Sequence, residues 1–386
     1  MKRLRNVWSL RLAGFVAGVL AMSGVSLAAA QYVVTNDDPG VSFYTVAPDG
    51  VLTLKQQVQT GGFGNVAGFF GANRIAMLDS ENQQCVYASQ GSIGEITGIA
   101  VSTLTLGGSA TGSPTDDGSS NGIGLAINSQ YLYASFTDSN TIGTFQVLAG
   151  CSLAFVNDVS VSGLAGGMIN GMAIHSNMLI ATYTDGTIES FDISAGTPIS
   201  HGDKQYSTGT LNSQDATYPN SIDITSDGHF AIFGDTSTSM VVEVSDISSG
   251  MLTPTVVHTS KASISSSNVM LSPDETLLYV VNTQGAAVSA ILFDKTTSVL
   301  SGGCTSGSIK GQSANWSYLG GLGLITQSGN GGGVYVAEFG APSSIAMVKL
   351  DATGGKCTLQ EAGKSPFADP NSQGLLSIGT FPPRSF

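Results

Sequence analysis

The sequence predicts an all-β fold: a seven-bladed β-propeller of four-stranded antiparallel blades, its ring closed by the C-terminal strand joining the N-terminal blade. Three observations carry that prediction: the composition, an apolar pattern that returns about every 50 residues, and a chain start that lacks one strand of a unit. The composition is 41% hydrophobic but only 11% charged, with 50 Gly in 386 residues. Soluble domains carry about 25% charged residues. Long helices would need many more Lys, Glu, Arg and Gln on their wet faces, which removes helical bundles. A mean hydropathy of +0.19 leaves ample apolar surface to bury, which removes disorder.

The first strand of each unit opens on an Asn before a short apolar run, at Asn73, Asn121, Asn170, Asn220 and Asn268, spaced by 48, 49, 50 and 48, with Asn315 a looser sixth. The second strand is an apolar run ending in a polar or aromatic residue. It occurs seven times, at residues 32–36, 86–90, 132–136, 179–183, 230–234, 278–282 and 334–338. Turn residues such as Asp227-Gly228 and Pro273-Asp274 join first to second strands, because Asp and Gly tolerate tight backbone. Third strands follow at 41–46, 96–101, 142–147, 188–193, 241–244, 288–293 and 345–350, several alternating apolar with polar, as a sheet with one better-buried face would. Fourth strands are weaker and fall near Leu52, Leu104, Leu153, Tyr206, Thr255, Ser308 and Leu359.

Four strands repeated seven times is the propeller signature. Residues 31–386 form one domain, because no linker interrupts the period. The chain enters that domain at a second strand, so the missing first strand is expected from residues 374–380, which leaves no exposed edge. A β-helix shares the composition but needs a shorter coil period, and none is present.

Residues 1–30 read as a secretory signal peptide: Lys2, Arg3, Arg5 and Arg11, then an apolar run too short to span a bilayer, then Ala28 to Ala30. Cleavage near Ala30 places the protein in the periplasm or outside the cell. The leader holds four of the 14 basic residues and none of the 27 acidic ones, so the remainder carries 10 minus 27, or −17. Nucleic acid and anionic membranes need a basic footprint and are excluded as partners. No membrane span and a monomeric state are expected.

Four cysteines in an exported chain predict disulfides. Cys85 opens the second strand of blade two and Cys151 the fourth strand of blade three, while Cys304 and Cys357 fall in fourth strands of blades six and seven. Turns at those points share one face, so Cys85 should pair with Cys151 and Cys304 with Cys357. The four histidines, His175, His201, His229 and His258, form no cluster, and no Gly-x-Ser-x-Gly elbow or phosphate-cradling loop occurs.

The strings Tyr-Val-Val-Thr-Asn at 32–36 and Leu-Ser-Pro-Asp-Glu-Thr-Leu-Leu-Tyr-Val-Val-Asn at 271–282 resemble the blade repeat of lactonase-type seven-bladed propellers. These include the 6-phosphogluconolactonase-like proteins and the surface-layer propellers named for a Tyr-Val-Thr-Asn motif. Blades three to five depart from it, with Phe136, Tyr183 and Gly234 at the final Asn position. The resemblance implies a lactone-hydrolysing enzyme. Phosphate is usually met by Arg forks or Lys, yet only Arg74 and Arg384 lie beyond the leader, so a neutral lactone or sugar-derived substrate is the expectation.

Loops after the second strands and before the first strands share the other face. It carries Asn36, Asp37, Asp38, Gln90, Glu95, Asp138, Asp185, Asp235, Asn282 and Glu338, with the repeated Asn residues at its inner rim. Asp185, Asp235 and Glu338 are the candidate catalytic residues. Asn36, Gln90, Asp138, Asn282 and Arg74 are the candidate ligand contacts. Oxygen ligands at Asp138, Asp185, Asp235 and Glu338 could hold Ca²⁺ or Mg²⁺, hard cations that polarise a carbonyl. Asp and Asn after a strand also serve as plain turn formers, and Arg74 could simply pair with a neighbouring acid. The alternative function is a non-catalytic binding or scaffolding propeller at the cell surface, with a surface protein as partner.

Overall fold

The computed structural model describes residues 32–38, 40–61, 73–91, 94–111, 122–206, 219–235, 242–253, 266–282, 287–309, 318–325, 333–339, 343–351, 357–369 and 373–383. The expected leader lies outside them. Seven antiparallel sheets follow one another around a ring. Their first strands are Gln373–Phe381 in blade one, Ile75–Asp79, Gly122–Ile127, Ile169–His175, Pro219–Ile224, Ser266–Leu271 and Tyr318–Ile325. Each of these touches the first strand of the next blade, the last touching Gln373–Phe381, so they line a closed circle.

Closure works as the sequence predicts. Gln373–Phe381 pairs antiparallel with Tyr32–Asp38, matching Tyr32 with Phe381 and Asn36 with Ser377. The strand from the C-terminal end thereby completes the four strands of blade one.

The apolar runs are buried on both faces, which differs from the one-sided burial expected from their alternation. Met178–Tyr183, for example, is buried at all six positions. Successive side chains of a strand point to opposite faces, and in a ring of blades each face meets a neighbour. The core is accordingly divided into seven apolar clusters, one in each seam. Val334 and Val336 pack toward blade six, while Tyr335 and Ala337 pack toward blade one. The polar residues tolerated inside these runs are small hydroxyls such as Ser89, Ser135 and Thr182.

The outer strands are less regular. Blade four's is split into Ile199–Ser200 and Gln205–Tyr206, and blade seven's into Thr358–Glu361 and Phe367–Asp369. Blade six's runs over Val299–Thr305, ahead of the Ser308 expected from the sequence, because the turn after Asp294 is tight. The strand expected near Thr255 in blade five lies outside the described residues.

Both disulfides form as predicted, Cys85–Cys151 across blades two and three and Cys304–Cys357 across blades six and seven. With sequence separations of 66 and 53, the chain-entropy model gives each about 4 kcal/mol. Around the first, the turn at residues 149–151 presses against blade two. A Cβ on Gly98 would lie 1.9 Å from the Cys151 carbonyl oxygen, so only glycine fits there. Two disulfides are compatible with an oxidising extracellular or periplasmic location, and among the described residues no helix is long and apolar enough to cross a membrane.

Candidate functional site

The second strands end at one mouth of the ring, and a bulge in the first strands of blade one and of blades three to seven sets the register there. In blades three to seven the bulge separates the pairs Phe136–Gly122, Tyr183–Ile169, Asp235–Pro219, Asn282–Ser266 and Glu338–Leu319 from the regular ladder. Gln90 ends the corresponding strand of blade two. In blade one, Thr35 pairs with Ile378 as Ala88 pairs with Ile75, so Asn36 shares its register with Ser89, and Asp37 with Gln90. Blades one and five therefore run one residue later than the motif alignment suggests. Their terminal positions are Asp37 and Asp235 instead of Asn36 and Gly234, because packing, which decides the facing of each residue, outranks the likeness of the strings. The Asn column is similarly broken. Asn73, Asn170 and Asn220 hold one register, while Asn268 sits one residue further into its strand.

The mouth thus presents a ring of seven equivalent positions: Asp37, Gln90, Phe136, Tyr183, Asp235, Asn282 and Glu338. The side chains of Asp37, Asp38, Asp235 and Asn282 lie outside the described residues. The others differ sharply. Phe136 is buried against Phe145, with ring centroids 6.4 Å apart. The Tyr183 hydroxyl donates to Glu189 Oε2 at 2.7 Å, and burial, reinforced by Glu189, raises its pKa. Gln90 is fully buried, yet neither its amide nitrogen nor its amide oxygen has a hydrogen-bond partner among the described residues.

Glu338 is 3% exposed. Its Oε2 accepts a hydrogen bond from Ser344 Oγ, the cross-strand neighbour, while Oε1 is buried without a partner among the described residues. Burial pushes its pKa up, opposed by the Ser344 hydrogen bond and aided by Glu361.

Asn36 donates from Nδ2 to the Ser89 carbonyl of blade two at 2.8 Å and leaves Oδ1 buried without a partner among the described residues. Arg74 is 1% exposed; its backbone N–H donates to Ser377 Oγ at 2.9 Å, and burial lowers its guanidinium pKa to about 10. Asp138 is exposed in the turn after its strand, and Glu95 is half-buried opposite Gln90.

Asp185 serves its own loop. Its Oδ2 accepts from the N–H groups of Ala165 at 2.7 Å and Gly167 at 3.0 Å, and its Oδ1 from Thr187 N–H at 3.0 Å. Burial alone would raise its pKa, but hydrogen bonds from Thr187, Ala165 and Gly167 outweigh that and hold it below the usual carboxylate range. Among the described residues no three His, Cys, Asp or Glu side chains converge to hold a metal ion. Asp138, Asp185 and Glu338 belong to three different blades.

Sequence reasoning missed a serine, a histidine and an aspartate that meet in blade four. Ser190 Oγ donates to Asp203 Oδ2 at 2.5 Å and lies 2.8 Å from His201 Nδ1. In a hydrolytic triad the histidine stands between serine and carboxylate. Here both partners converge on a serine that is wholly buried, so the cluster is structural. Asp203 also accepts from the Leu252 N–H of blade five at 2.7 Å, tying the seam. The missed signal was tertiary: the split fourth strand bends residues 201–204 inward.

A sequence profile of the family described as "Lactonase, 7-bladed beta-propeller" matches residues 85–370, about three quarters of the chain. The chain belongs to the seven-bladed lactonase family. Among solved structures, one from Bacteroides fragilis with the provisional name 6-phosphogluconolactonase superposes with a TM-score of 0.65 at 15% identity, covering 93% of this chain and 99% of that one. A protein of the same provisional name from Bacteroides uniformis gives 0.64 at 14% identity, covering 90% and 98%. A functionally unknown protein from Desulfotomaculum acetoxidans gives 0.65 at 13%, covering 92% and 100%. At these identities the likeness is one of fold. No curated protein matches the sequence of this family member.

Proposed function

We propose that this lactonase-family propeller hydrolyses a neutral, unphosphorylated lactone at the acidic mouth where the second strands end, in the periplasm or outside the cell. The observation that carries the reading is Glu338: a buried carboxyl with one oxygen fixed by Ser344 and the other without a partner among the described residues. A buried acceptor left unmade costs about 1–3 kcal/mol, so its presence at a mouth is better explained by a ligand or a reacting water than by packing. Burial that lifts its pKa moves it toward the working range of a general base near neutral pH.

In the proposed reaction a water oxygen forms a bond to the lactone carbonyl carbon while Glu338 Oε1 takes the water's proton. The ring C–O bond then breaks, and the proton passes from Glu338 to the departing ring oxygen, giving an open hydroxy acid. The substrate is neutral because the chain beyond the leader holds only Arg74 and Arg384 as arginines, and phosphate recognition relies on such forks. The family name and the provisionally named neighbours from Bacteroides support the lactone class.

Hydrolysis of δ-valerolactone, glucono-δ-lactone and its 6-phosphate tests the reading. Turnover of the first two above the third is expected, with Glu338→Gln lowering kcat at least about 100-fold. Ser344→Ala should move the acidic limb of the pH profile to higher pH, since the hydrogen bond it removes holds the Glu338 pKa down and the base must be ionised to act. Chelation followed by Ca²⁺ or Mg²⁺ addition tests whether a hard cation assists. Inert protein across the panel would leave the second reading, a non-catalytic binding propeller, which the engagement of Asp185 in its own loop favours.

A further inference from the structure

Four seams of the ring are tied at their outer edges in two different ways. The Tyr133 hydroxyl donates to the Gly196 carbonyl across blades three and four at 2.9 Å, and the Tyr335 hydroxyl to the Gly50 carbonyl across blades seven and one. Seams two–three and six–seven are tied by sulfur instead. The two disulfides are placed unequally. Cys85 and Cys151 are 0% and 1% exposed, enclosed in the apolar core of their seam. Cys304 lies on an outer strand and Cys357 just ahead of one; both are half-buried, and Gly302, Gly303, Thr305 and Thr358 beside them are exposed. A reductant needs a line of approach to a sulfur, and accessible disulfides are the labile ones.

The accessible disulfide closes the seam that encloses Glu338. Glu338 shares a strand face with Val334 and Val336, and Ser344 with Ala346 and Val348, because side chains alternate; these four apolar residues belong to the blade six–seven core. Cys304 packs against that core, and Leu359, two residues after Cys357, is part of it. Glu361, at the end of the same outer strand, is one of the groups that raise the Glu338 pKa. We propose that Cys304–Cys357 is a redox switch: a dithiol reductant opens it while Cys85–Cys151 stays closed, and the opened seam admits water to Glu338. In the exchange one reductant thiolate attacks a sulfur of the switch, forming an S–S bond to it as the Cys304–Cys357 bond breaks. The second thiolate then displaces that cysteine and closes the reductant's own disulfide. Two electrons and the two thiol protons pass to the protein, and both cysteines end as thiols. Water in the seam removes the desolvation that poises Glu338 as a base, so reduction turns the site off. Opening of the switch rests on the placement of the disulfides; only its effect on turnover rests on Glu338 being the base.

The test treats the full chain with dithiothreitol under native conditions, pulses it with iodoacetamide and maps the products by mass spectrometry. Cys304 and Cys357 should be alkylated at least about tenfold faster than Cys85 and Cys151. Amide hydrogen exchange over residues 299–305 and 358–361 should quicken on reduction while that over 132–136 stays unchanged, and carbodiimide-driven amidation of Glu338 should rise with it. A variant carrying Cys304→Ser and Cys357→Ser should show the quick exchange without reductant. One alkylation rate for all four cysteines, earlier loss of Cys85–Cys151, unchanged exchange at 358–361, or Glu338 amidation indifferent to reduction would each overturn the switch. With lactone turnover in hand, kcat near neutral pH should fall on reduction and recover on reoxidation. An unchanged kcat despite increased Glu338 amidation would sink Glu338 as the base, and the switch would survive it on the alkylation and exchange results.

Discussion

Two buried carboxyl groups, Glu189 in blade four and Glu338 in blade seven, are held to opposite effect. At the inner seam of blade four, Glu189 accepts from the Tyr183 hydroxyl at 2.7 Å and from Ser200 Oγ at 2.6 Å, and pairs with Lys204 at 3.2 Å. Lys204 also stands 5.7 Å from the Tyr183 ring centre and donates to the Ser162 carbonyl. Every oxygen of that carboxylate is used. Glu338, by contrast, keeps Oε1 buried without a hydrogen-bond partner among the described residues, as Asn36 and Gln90 keep amide atoms. Both carboxyls sit on inner strands paired antiparallel with a neighbour in the same sheet, so the difference between them lies in the side chains they meet. Satisfied polar groups stabilise a seam, whereas unsatisfied ones are retained at a cost in stability, which points to a role outside folding.

Substitutions can break that contrast. The largest expected effect is at Glu189, where Glu189→Ala strands the buried Tyr183 hydroxyl and the Lys204 ammonium. A loss of about 3 kcal/mol is expected in denaturant unfolding, and a value near zero would remove the distinction between the two regions. Asp203→Ala comes next, at about 2 kcal/mol, since it leaves Leu252 N–H and Ser190 N–H without their acceptor. Glu338→Gln should be the mildest for folding, within about 1 kcal/mol, although the largest for turnover.

The pH dependence sharpens the same contrast. Burial raises the Glu338 pKa above its ordinary 4.5, so the folded chain keeps that proton longer than the unfolded chain. Its contribution to stability therefore falls as pH rises from about 4.5 through the raised value, and Glu338→Gln should flatten that decline in Tm scans. Asp185 works in the reverse sense. Its folded pKa is lowered from 3.8, so its contribution is present above 3.8 and is lost as the pH drops through the lowered value.

Much of the fold was legible because it rests on local signals repeated seven times. Apolar runs at a regular period announce strands, Asp-Gly and Pro-Asp announce turns, and the position of a cysteine within its blade predicts its partner. The candidate site was legible only as a face. Asp185 carries the residue type of a catalytic acid, but Ala165 and Gly167, some 20 residues earlier, take up its oxygens. The one-residue offset of blades one and five escaped the motif because Tyr-Val-Val-Thr-Asn resembles its counterparts as a string, while facing is decided by which seam each side chain fills.

Composition and period, by themselves, determined a ring of seven antiparallel sheets, its closure by the tail, and the pairing of its four cysteines. Each of these follows from backbone hydrogen bonding and a two-residue side-chain alternation that any part of the chain can satisfy locally. Tertiary structure alone decided which buried polar groups are paired and which are left over at the mouth. That outcome depends on what stands across a seam, about 50 residues away in the chain, and no local pattern records the chemistry of a neighbour.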